Sequence, residues 1–203
     1  MIAVLDYGIG NLRSAEKALQ RIGADARLVA DPDEAAAADA VVLPGVGAFG
    51  ACARALRRSG LWEVARGAIE AGRPFLGICV GFQLLYEGSD EDPAEPGLGV
   101  FPGRVRRLPA TVKLPQMQWN RLDPVGDEES RLLAGVPDPT WVYFVHSYAP
   151  EGTSLTTSVC EYGAPVVATA ERDAVWGAQF HPEKSGVTGL CVLSNFVRFA
   201  DGR

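Results

Sequence analysis

Short apolar runs alternate with helical patterns along the first half of the chain. Four runs are rich in aliphatic and β-branched residues and have the length of strands: "IAVLDY", "ARLVA", "DAVVLP" and "PFLGI". The segment after the first run carries apolar residues at helical spacing, at Leu12, Ala15, Leu19 and Ile22. We predict a helix there with Asn11 as its N-cap, and one or two further helices in "FGACARALRRSGLWEVARGAIEAG". Apolar strands separated by helices indicate a parallel sheet covered on both faces.

The second half of the chain is mostly strand-like. It follows an acidic loop rich in Pro and Gly, "EGSDEDPAEPGLG", which we interpret as a solvated connection. The strand-like runs are "VRRLPATVKLPQMQW", "WVYFVHSY", "SLTTSVCEYG", "PVVATAER" and "AVWGAQFH", and "GLCVLSNFVRFADG" predicts a closing amphipathic helix. We predict a single domain over residues 1–203, of α/β class. Its sheet is expected to be mixed, open and largely parallel, flanked by helices, with an added antiparallel section.

Composition narrows the classes of function. A chain of 203 residues with 47% hydrophobic and 22% charged residues is expected to build its own core. The net charge of −6 argues against a nucleic-acid partner, and neither a signal peptide nor a membrane span is expected. The cysteines are widely spaced, at Cys52, Cys79, Cys160 and Cys191. We therefore expect a reduced, cytoplasmic setting, with no disulfide framework and no metal site.

Cys79 stands between two glycine-containing segments in "RPFLGICVGFQLLYEG". A strand ends at "PFLGI" and a helix is predicted to start at "VGFQLL", so Cys79 is expected on a tight strand-to-helix turn. Such a turn exposes a nucleophile, and a helix N-terminus favours a thiolate. The N–H of Val80 is then the natural donor to an oxyanion. Considered alone, this segment fits a buried core cysteine equally well.

A second segment, "AVWGAQFHPEKS", offers a base. Residues two apart in an extended segment point to the same side, so His181 and Glu183 are predicted to lie together. Pro182 disfavours helix at His181 and helps to hold that form. His181 can take the thiol proton while Glu183 orients its ring. The chain has two histidines, and the competitor, His146, has no carboxylate nearby in sequence. A surface salt bridge is the alternative interpretation of the pair.

The segment "GVGAFG" matches a dinucleotide-binding fingerprint but stands in the wrong place. That fingerprint belongs to the first βα turn, with an acidic residue closing a strand about 20 positions later. Here it follows the third strand. Because adjacent parallel strands present neighbouring loops, we expect a pliable loop near Cys79 whose amides offer a second oxyanion donor.

Taken together, "LPGVGAF", "GICVGFQLL" and "QFHPEKS" resemble the class I glutamine amidotransferases, the Cys-His-Glu glutaminases. Any one of these motifs alone is weak, but their joint order along the chain is specific. Within the family, "DYGIGNLRSAEKAL", "YFVHSY" and "CEYG" are similar to the glutaminase subunits of imidazole glycerol phosphate synthases. The amidotransferases of GMP, anthranilate or carbamoyl phosphate synthesis are not similar in the opening. The resemblance implies a flavodoxin-like fold.

The resemblance also implies an activity and a partner. Glutamine would be hydrolysed through a glutamyl thioester on Cys79, without a cofactor. The ammonia would pass to a separate cyclase subunit, which has the fold of a (β/α)8 barrel, in a heterodimer. There it would enter a phosphoribosyl-formimino carboxamide nucleotide, giving imidazole glycerol phosphate and an aminoimidazole carboxamide ribotide in histidine biosynthesis.

The family motifs assign further residues. They imply an oxyanion loop at Gly45 and Val46, together with Val80, and glutamine binding by Gln83, Ser147 and Tyr148.

One segment departs from the family pattern. The usual V-P-H-M-G-W-N reads "LPQMQWN" here, with Gln116 and Gln118 in place of His and Gly. In the family this segment faces the partner and the ammonia exit, so the change concerns docking and signalling rather than hydrolysis. Val80 and Phe82 replace the usual Leu and Met, and both are tolerable apolar exchanges.

Two other functions stay open at this point. A stand-alone cysteine hydrolase or peptidase on a similar sheet would need no partner. A non-catalytic binding subunit would keep the fold without the chemistry, although an intact Cys, His and Glu set speaks against it.

Overall fold

The largest sheet of the protein has eight strands, and the five at one side of it are parallel. A computed structural model describes residues 1–126 and 129–202. Its strands are β1 (Ile2–Leu5), β2 (Ala26–Val29), β3 (Ala40–Gly45), β4 (Phe75–Cys79), β5 (Gly88–Ser89), β6 (Arg104–Arg107), β7 (Gln116–Arg121), β8 (Asp123–Pro124), β9 (Trp141–His146), β10 (Tyr148–Pro150), β11 (Thr156–Glu161), β12 (Pro165–Arg172) and β13 (Val175–Ala178). The order in the large sheet is β2-β1-β3-β4-β13-β12-β11-β8. The first five strands of that order, β2, β1, β3, β4 and β13, are parallel to one another. The next three, β12, β11 and β8, each pair antiparallel with the strand before them.

Helices cover the sheet: α1 (Leu12–Arg21), α2 (Pro32–Ala36), α3 (Phe49–Arg58), α4 (Leu61–Glu70), α5 (Val80–Gln83) and α6 (Gly186–Ala200). The helical conformation is interrupted between α3 and α4 at Gly60, whose φ of 78° cannot continue the first helix. Asn11 occupies the N-cap position of α1, as predicted, but its side chain does not bond the helix N–H groups. It accepts instead from the Ser14 hydroxyl at 2.8 Å, and its amide turns toward Glu183. None of the helices in the described ranges is long and apolar enough to cross a membrane.

The antiparallel section was predicted correctly in part. Strands β11 and β12 extend the large sheet, but the runs that contain β6, β7 and β9 do not join it. They form a three-stranded sheet β10-β6-β5 and a two-stranded sheet β7-β9. An inner strand of a sheet covered on both faces must be apolar throughout, whereas β6 reads "RVRR" and β7 reads "QMQWNR". Both strands therefore lie outside the main sheet, where one face meets water.

The acidic loop is not simply a solvated connection. The Glu91 carboxylate accepts from the Phe49 N–H at 2.8 Å, at the start of α3. Further along α3, the Arg54 guanidinium contacts Asp92 at 2.8 Å and Glu95 at 3.1 Å. Opposite charges therefore fold the loop back onto the helix beside the oxyanion loop.

Helix α5 lies directly on the sheet because glycines remove the side chains between them. A Cβ on Gly81 would stand 1.8 Å from the carbonyl oxygen of Leu43 in β3. A Cβ on Gly77 would stand 2.8 Å from the Gly81 carbonyl oxygen. On the neighbouring strand, Gly177 makes room for the Phe82 ring, whose nearest carbon lies 1.9 Å from where a Cβ would be. The helix is thus held against three strands by contacts that larger residues would prevent.

We expect Gly81→Ala to lower the free energy of unfolding by about 2 to 3 kcal/mol, because the added methyl group meets backbone that cannot rotate away. Equilibrium denaturation in urea measures the change. Gly67→Ala, in the middle of α4 with no atom within 4 Å of the new Cβ, is the matched control and should stabilise by about 0.5 to 1 kcal/mol. Equal effects of the two substitutions would contradict the close-packing interpretation.

Candidate active site

Cys79 ends β4 with a backbone conformation that side chains rarely adopt, φ 54° and ψ −111°. Such a residue is held against its preference, at a typical cost of about 1 to 3 kcal/mol. The adjacent contacts of Gly77 and Gly81 impose the conformation, since the chain must reverse within one residue to lay α5 on the sheet. The predicted strand-to-helix turn at Cys79 is therefore present.

Helix α5 is shorter than the sequence indicated. It has four residues, a single turn, so the helix-dipole contribution expected at Cys79 is small. The group that the turn does provide is the Val80 N–H, the first amide of the helix. Val80 lines the same cavity as Cys79.

His181 and Glu183 lie together, but not by strand alternation as predicted. His181 is extended, with φ −100° and ψ 96°, and Pro182–Lys184 then forms a 3-10 turn. This turn carries the Glu183 carboxylate back to the imidazole, where Oε1 accepts from Nδ1 at 2.8 Å. Both side chains are 2% exposed. The pair is a buried contact, not the surface salt bridge considered above.

Three neighbours fix this pair. The His181 N–H donates to the Tyr143 carbonyl of β9 at 3.0 Å, and the Ser185 hydroxyl donates to the His181 carbonyl at 2.7 Å. The Asn11 amide reaches Glu183 Oε1 at 3.5 Å from the start of α1. Backbone and carboxylate are therefore anchored separately, and the ring has little freedom to turn.

Cys79 and His181 line one cavity and influence each other electrostatically. Burial alone would lower the pKa of His181, but its contacts with Cys79 and Glu183 raise it to about 10. The ring therefore binds a proton strongly when the sulfur carries a negative charge. This is the behaviour of a base that accepts a thiol proton and holds it close to the sulfur.

The predicted oxyanion loop lies beside the nucleophile. Gly45 pairs with Cys79 across β3 and β4, and Val46 lines the cavity. The carbonyls on either side of the Gly45–Val46 peptide are both held. Tyr7 Oη donates to the Pro44 carbonyl at 2.6 Å, and Cys52 Sγ donates to the Val46 carbonyl at 3.3 Å. Burial and the neighbouring thiols keep the pKa of Tyr7 well above its usual value, so it remains a donor.

The cavity above Cys79 has a volume of about 270 Å³. The predicted residues Gln83, Ser147 and Tyr148 all line it. Both hydrogens of the Gln83 amide are already used, since Nε2 donates to the Tyr148 carbonyl at 2.8 Å and to Gln179 Oε1 at 3.1 Å. The oxygen is the end that is left for a ligand. Glu91, from the acidic loop, adds a carboxylate to the wall.

A larger cavity of about 560 Å³ lies at the other end of the sheet, where β4 and β13 begin. It is lined by Arg66, Glu70, Arg172 and Asp173 among others and contains no nucleophile or histidine. Ligands of open α/β sheets bind at the carboxyl ends of the strands, which is where Cys79 and His181 lie. Among the described residues, no group of three His, Cys, Asp or Glu side chains is placed to hold a metal ion.

His146 also lines the cavity but does not serve as an alternative base. Burial lowers its pKa to about 4, with the His181 charge acting in the same direction. Its Nδ1 contacts the Tyr148 carbonyl at 2.9 Å, and a carbonyl can only accept, so Nδ1 carries the hydrogen. A neutral ring with this pKa is too weak a base to compete with His181.

Gln116 and Gln118 lie on the face of β7 opposite Met117 and Trp119, but Gln116 is buried and Gln118 is exposed. Gln116 is fully buried, and its amide contacts Cys160 Sγ at 3.5 Å. Gln118 pairs with the buried Phe144 on the same face of β7-β9. The opposite face carries Met117 and Trp119. Of the two family departures, Gln116 therefore belongs to the interior and Gln118 to the surface.

The site can be compared with known proteins. Residues 3–198 match the model of the family described as glutamine amidotransferase class-I. The chain belongs to this family. The predicted family is confirmed.

Curated relatives align with this amidotransferase over nearly its whole length. The imidazole glycerol phosphate synthase subunit HisH of Desulfitobacterium hafniense (strain DSM 10664 / DCB-2) is 46% identical over 203 residues, covering 99% of this chain and 95% of the relative. The HisH subunit of Methanothermobacter thermautotrophicus is 50% identical over 198 residues, covering 97% and 98%.

Solved structures share the fold of the amidotransferase. A crystal structure of a glutamine amidotransferase matches with a TM-score of 0.77 at 20% identity and covers 98% of both chains. The structure of PurLQS from Thermotoga maritima matches with a TM-score of 0.69 at 18% identity, covering 98% of this chain and 97% of that one. The predicted fold class is confirmed.

Several groups in this amidotransferase site were not identified from the sequence. They are Tyr7, Asn11, Cys52, Glu91 and Gln179. Three of them lie inside quoted motifs, in "DYGIGNL" and "QFHPEKS", but neighbours in a motif do not reveal which side chain turns inward. Cys52 lies just after the motif "LPGVGAF", and Glu91 lies outside all of the motifs. Only the packing of the acidic loop on α3 brings Glu91 to the cavity.

We expect the free energy of unfolding to fall as the pH is lowered from about 6.5 to about 4. In this range unfolded His146 takes up a proton while the folded ring does not, so the unfolded state binds more protons and stability is lost as pH falls. His146→Gln keeps a donor for the Tyr148 carbonyl and should remove up to ~3 kcal/mol of this dependence. Denaturation curves of both proteins across this range measure it. Parallel pH profiles of the two would show that His146 is not responsible.

Proposed function

We propose that this chain is the glutaminase subunit of an imidazole glycerol phosphate synthase in histidine biosynthesis. It hydrolyses glutamine to glutamate and ammonia and supplies the ammonia to a cyclase subunit. The observation that carries the proposal is the pair of Cys79 and His181 lining one cavity, with buried Glu183 bound to the imidazole, in a chain 46–50% identical to HisH subunits. The site then lies in one domain over residues 1–203, and the setting is cytoplasmic.

The reaction uses Cys79 as the nucleophile and His181 as the base and acid, while Glu183 orients the imidazole. His181 takes the thiol proton of Cys79, and the sulfur attacks the carboxamide carbon of glutamine. The proton on His181 then passes to the departing nitrogen, which leaves as ammonia when the C–N bond breaks, and a glutamyl thioester forms. Water attacks the thioester after giving a proton to His181, and the sulfur leaves and recovers that proton. Glutamate is released and the enzyme returns to its starting state.

The negative charge that develops on the substrate carbonyl oxygen needs hydrogen-bond donors in fixed positions. The Val80 N–H and the Gly45–Val46 loop would donate to the tetrahedral oxyanion, which is supported by their position beside Cys79. The tethers from Tyr7 and Cys52 support this role, because they hold the peptides on both sides of the loop and leave less to reorganise during the reaction.

The cavity wall suits a substrate with a free α-ammonium group. The Glu91 carboxylate is placed to attract the α-ammonium group. The Gln83 oxygen can accept from a substrate N–H, and Ser147 and Tyr148 complete the wall. A residue inside a peptide would lack the free ammonium group, which favours free glutamine over the substrates of an endopeptidase.

The outer face of β7-β9 is proposed to dock the cyclase subunit, which has the fold of a (β/α)8 barrel, in a heterodimer. Met117, Trp119, Trp141 and Val187 are between 48% and 79% exposed. The strand register places the first three on one face, and Val187 follows Gly186, which lies beside the Trp119 ring. We name these four residues the outer patch. Exposed aromatic residues clustered in this way are typical of the centre of a protein interface.

We expect Cys79→Ser to lower glutamine-dependent synthesis about a thousandfold or more, since a serine hydroxyl beside His181 is a much weaker nucleophile. Synthesis from added ammonium salt by the assembled complex should continue unchanged. Cys191→Ser, at the partly exposed thiol of α6, is the control and should retain both activities.

The same assay separates the other functions. Loss of both activities in Cys79→Ser would indicate a structural role for the cysteine. Hydrolysis of peptides or esters by the wild-type chain without the cyclase would favour a stand-alone hydrolase, and no glutamine turnover with the cyclase present would favour a non-catalytic subunit.

We expect Trp119→Lys to weaken binding of the cyclase subunit by about tenfold or more, as loss of a central aromatic anchor does. Calorimetric titration of the chain with the cyclase measures the dissociation constant. Val125→Lys, at an exposed valine outside the outer patch, is the matched control and should bind normally. Identical dissociation constants for the two variants would exclude the outer patch as the docking surface.

A further inference from the structure

The side-chain amide of Gln179 is buried beside the site. The roles assigned above to Cys79, His181 and Glu183 give this amide no function. It follows β13 directly, two residues before His181, and is 0% exposed. Its Nε2 lies 3.8 Å from Cys79 Sγ, and its Oε1 accepts from Gln83 Nε2 at 3.1 Å. A carboxamide removed from water must have both ends paired inside the protein. Here one end is paired with the nucleophile.

We propose that Gln179 is a further catalytic residue that donates a hydrogen bond to the Cys79 sulfur, and that it also sets the orientation of the Gln83 amide. This inference rests on the proposed function, because it assigns Gln179 a part in the reaction at Cys79. It extends the site from three residues to a chain of groups that ends at β10.

The direction of every bond in this chain is determined by its outer end. The Tyr148 carbonyl can only accept, so Gln83 must turn its NH2 group toward it. The second hydrogen of that group then meets Gln179, which must present its oxygen. The NH2 group of Gln179 is thereby directed at the sulfur. Reversal of either amide would place two acceptors or two donors against each other in a buried site.

This bond matters most when the sulfur is charged. An N–H donor interacts more strongly with a thiolate than with a thiol or a thioester. Gln179 therefore stabilises the sulfur before it attacks glutamine and again when it leaves the thioester. The same polarity leaves the Gln83 oxygen facing the cavity, where it accepts from a substrate N–H.

The titratable groups around Cys79 come from other elements. They are His181 after β13, Tyr7 after β1 and Cys52 on α3, and the same cavity is also faced by Glu91 from the acidic loop, His146 at the end of β9 and Tyr148 of β10. Gln179 is uncharged and does not titrate, so its replacement by an uncharged residue leaves these groups in place. A change in the pH profile of Cys79 can then be attributed to the lost hydrogen bond.

The test compares Gln179→Met with Gln179→Glu. Methionine has a similar length but neither donor nor acceptor. We expect alkylation of Cys79 by iodoacetamide near neutral pH to slow by about tenfold and its pH profile to move to higher pH. Peptide mapping by mass spectrometry follows Cys79 separately from the other thiols. In the complex with the cyclase, kcat should fall and KM should rise, because Gln83 is no longer oriented.

Glutamate separates the two roles. It keeps an acceptor for the Gln83 amide but places an oxygen against the sulfur. We expect kcat to fall at least as far as in Gln179→Met while KM stays near the wild-type value. If Gln179→Glu does not fold, Gln179→Met alone still decides whether the hydrogen bond to sulfur matters, provided that its unfolding curve shows a folded protein.

Gln116→Met is the matched control. Gln116 is also fully buried, and its amide also faces a cysteine sulfur, that of Cys160 at 3.5 Å. It should leave alkylation of Cys79 unchanged. Wild-type alkylation and kcat in a folded Gln179→Met protein would overturn the inference. If Cys79→Ser is inactive in the same assay, the proposed function stands and only the role of Gln179 fails. If Cys79→Ser is active, the proposed function itself fails.

Discussion

The contact between α5 and the sheet is backbone against backbone, and the active site depends on it. Gly81 in the helix lies against the Leu43 carbonyl, and Gly77 in β4 lies against the helix. This close contact forces the reversal at Cys79 into a positive-φ conformation that a non-glycine residue adopts only under constraint. The sulfur is consequently carried on two rigid elements, and the first amide of the helix lies next to it. A looser turn would leave the thiol without a fixed direction.

Around this turn, the polar groups are held by partners that come from distant parts of the chain. His181 is anchored through the Tyr143 carbonyl and Ser185, while Asn11 reaches the carboxylate of Glu183. Because the His181 and Glu183 side chains are almost fully buried, each of these bonds is stronger than it would be in water, and each would be costly to leave unmade. These anchors hold the imidazole beside Cys79 and Glu183, the two groups that raise the pKa of His181 despite burial.

The elements with simple periodicity could be predicted from the sequence, and so could the residues with distinctive chemistry. The parallel strands, the helical character of the α3–α4 segment and the proximity of His181 to Glu183 follow from local patterns, whereas one or two helices remained open for that segment. The pairing of β7 with β9 does not, because an alternating strand fits the edge of a large sheet as well as a separate ribbon. Gln179 and Glu91 could not be identified either, since their roles depend on side-chain directions set by contacts between remote segments. His181 and Glu183 are close as predicted, but the 3-10 turn at Pro182 brings them together rather than the alternation of a strand.

The ribbon β7-β9 has an outward face with Trp119 and Tyr143, and the Tyr143 backbone carbonyl receives the His181 N–H. The outer patch and the imidazole are therefore separated by the thickness of one strand. A displacement of that strand by an ångström would be transmitted to the ring through a single peptide group, with no intervening layer of side chains to absorb it.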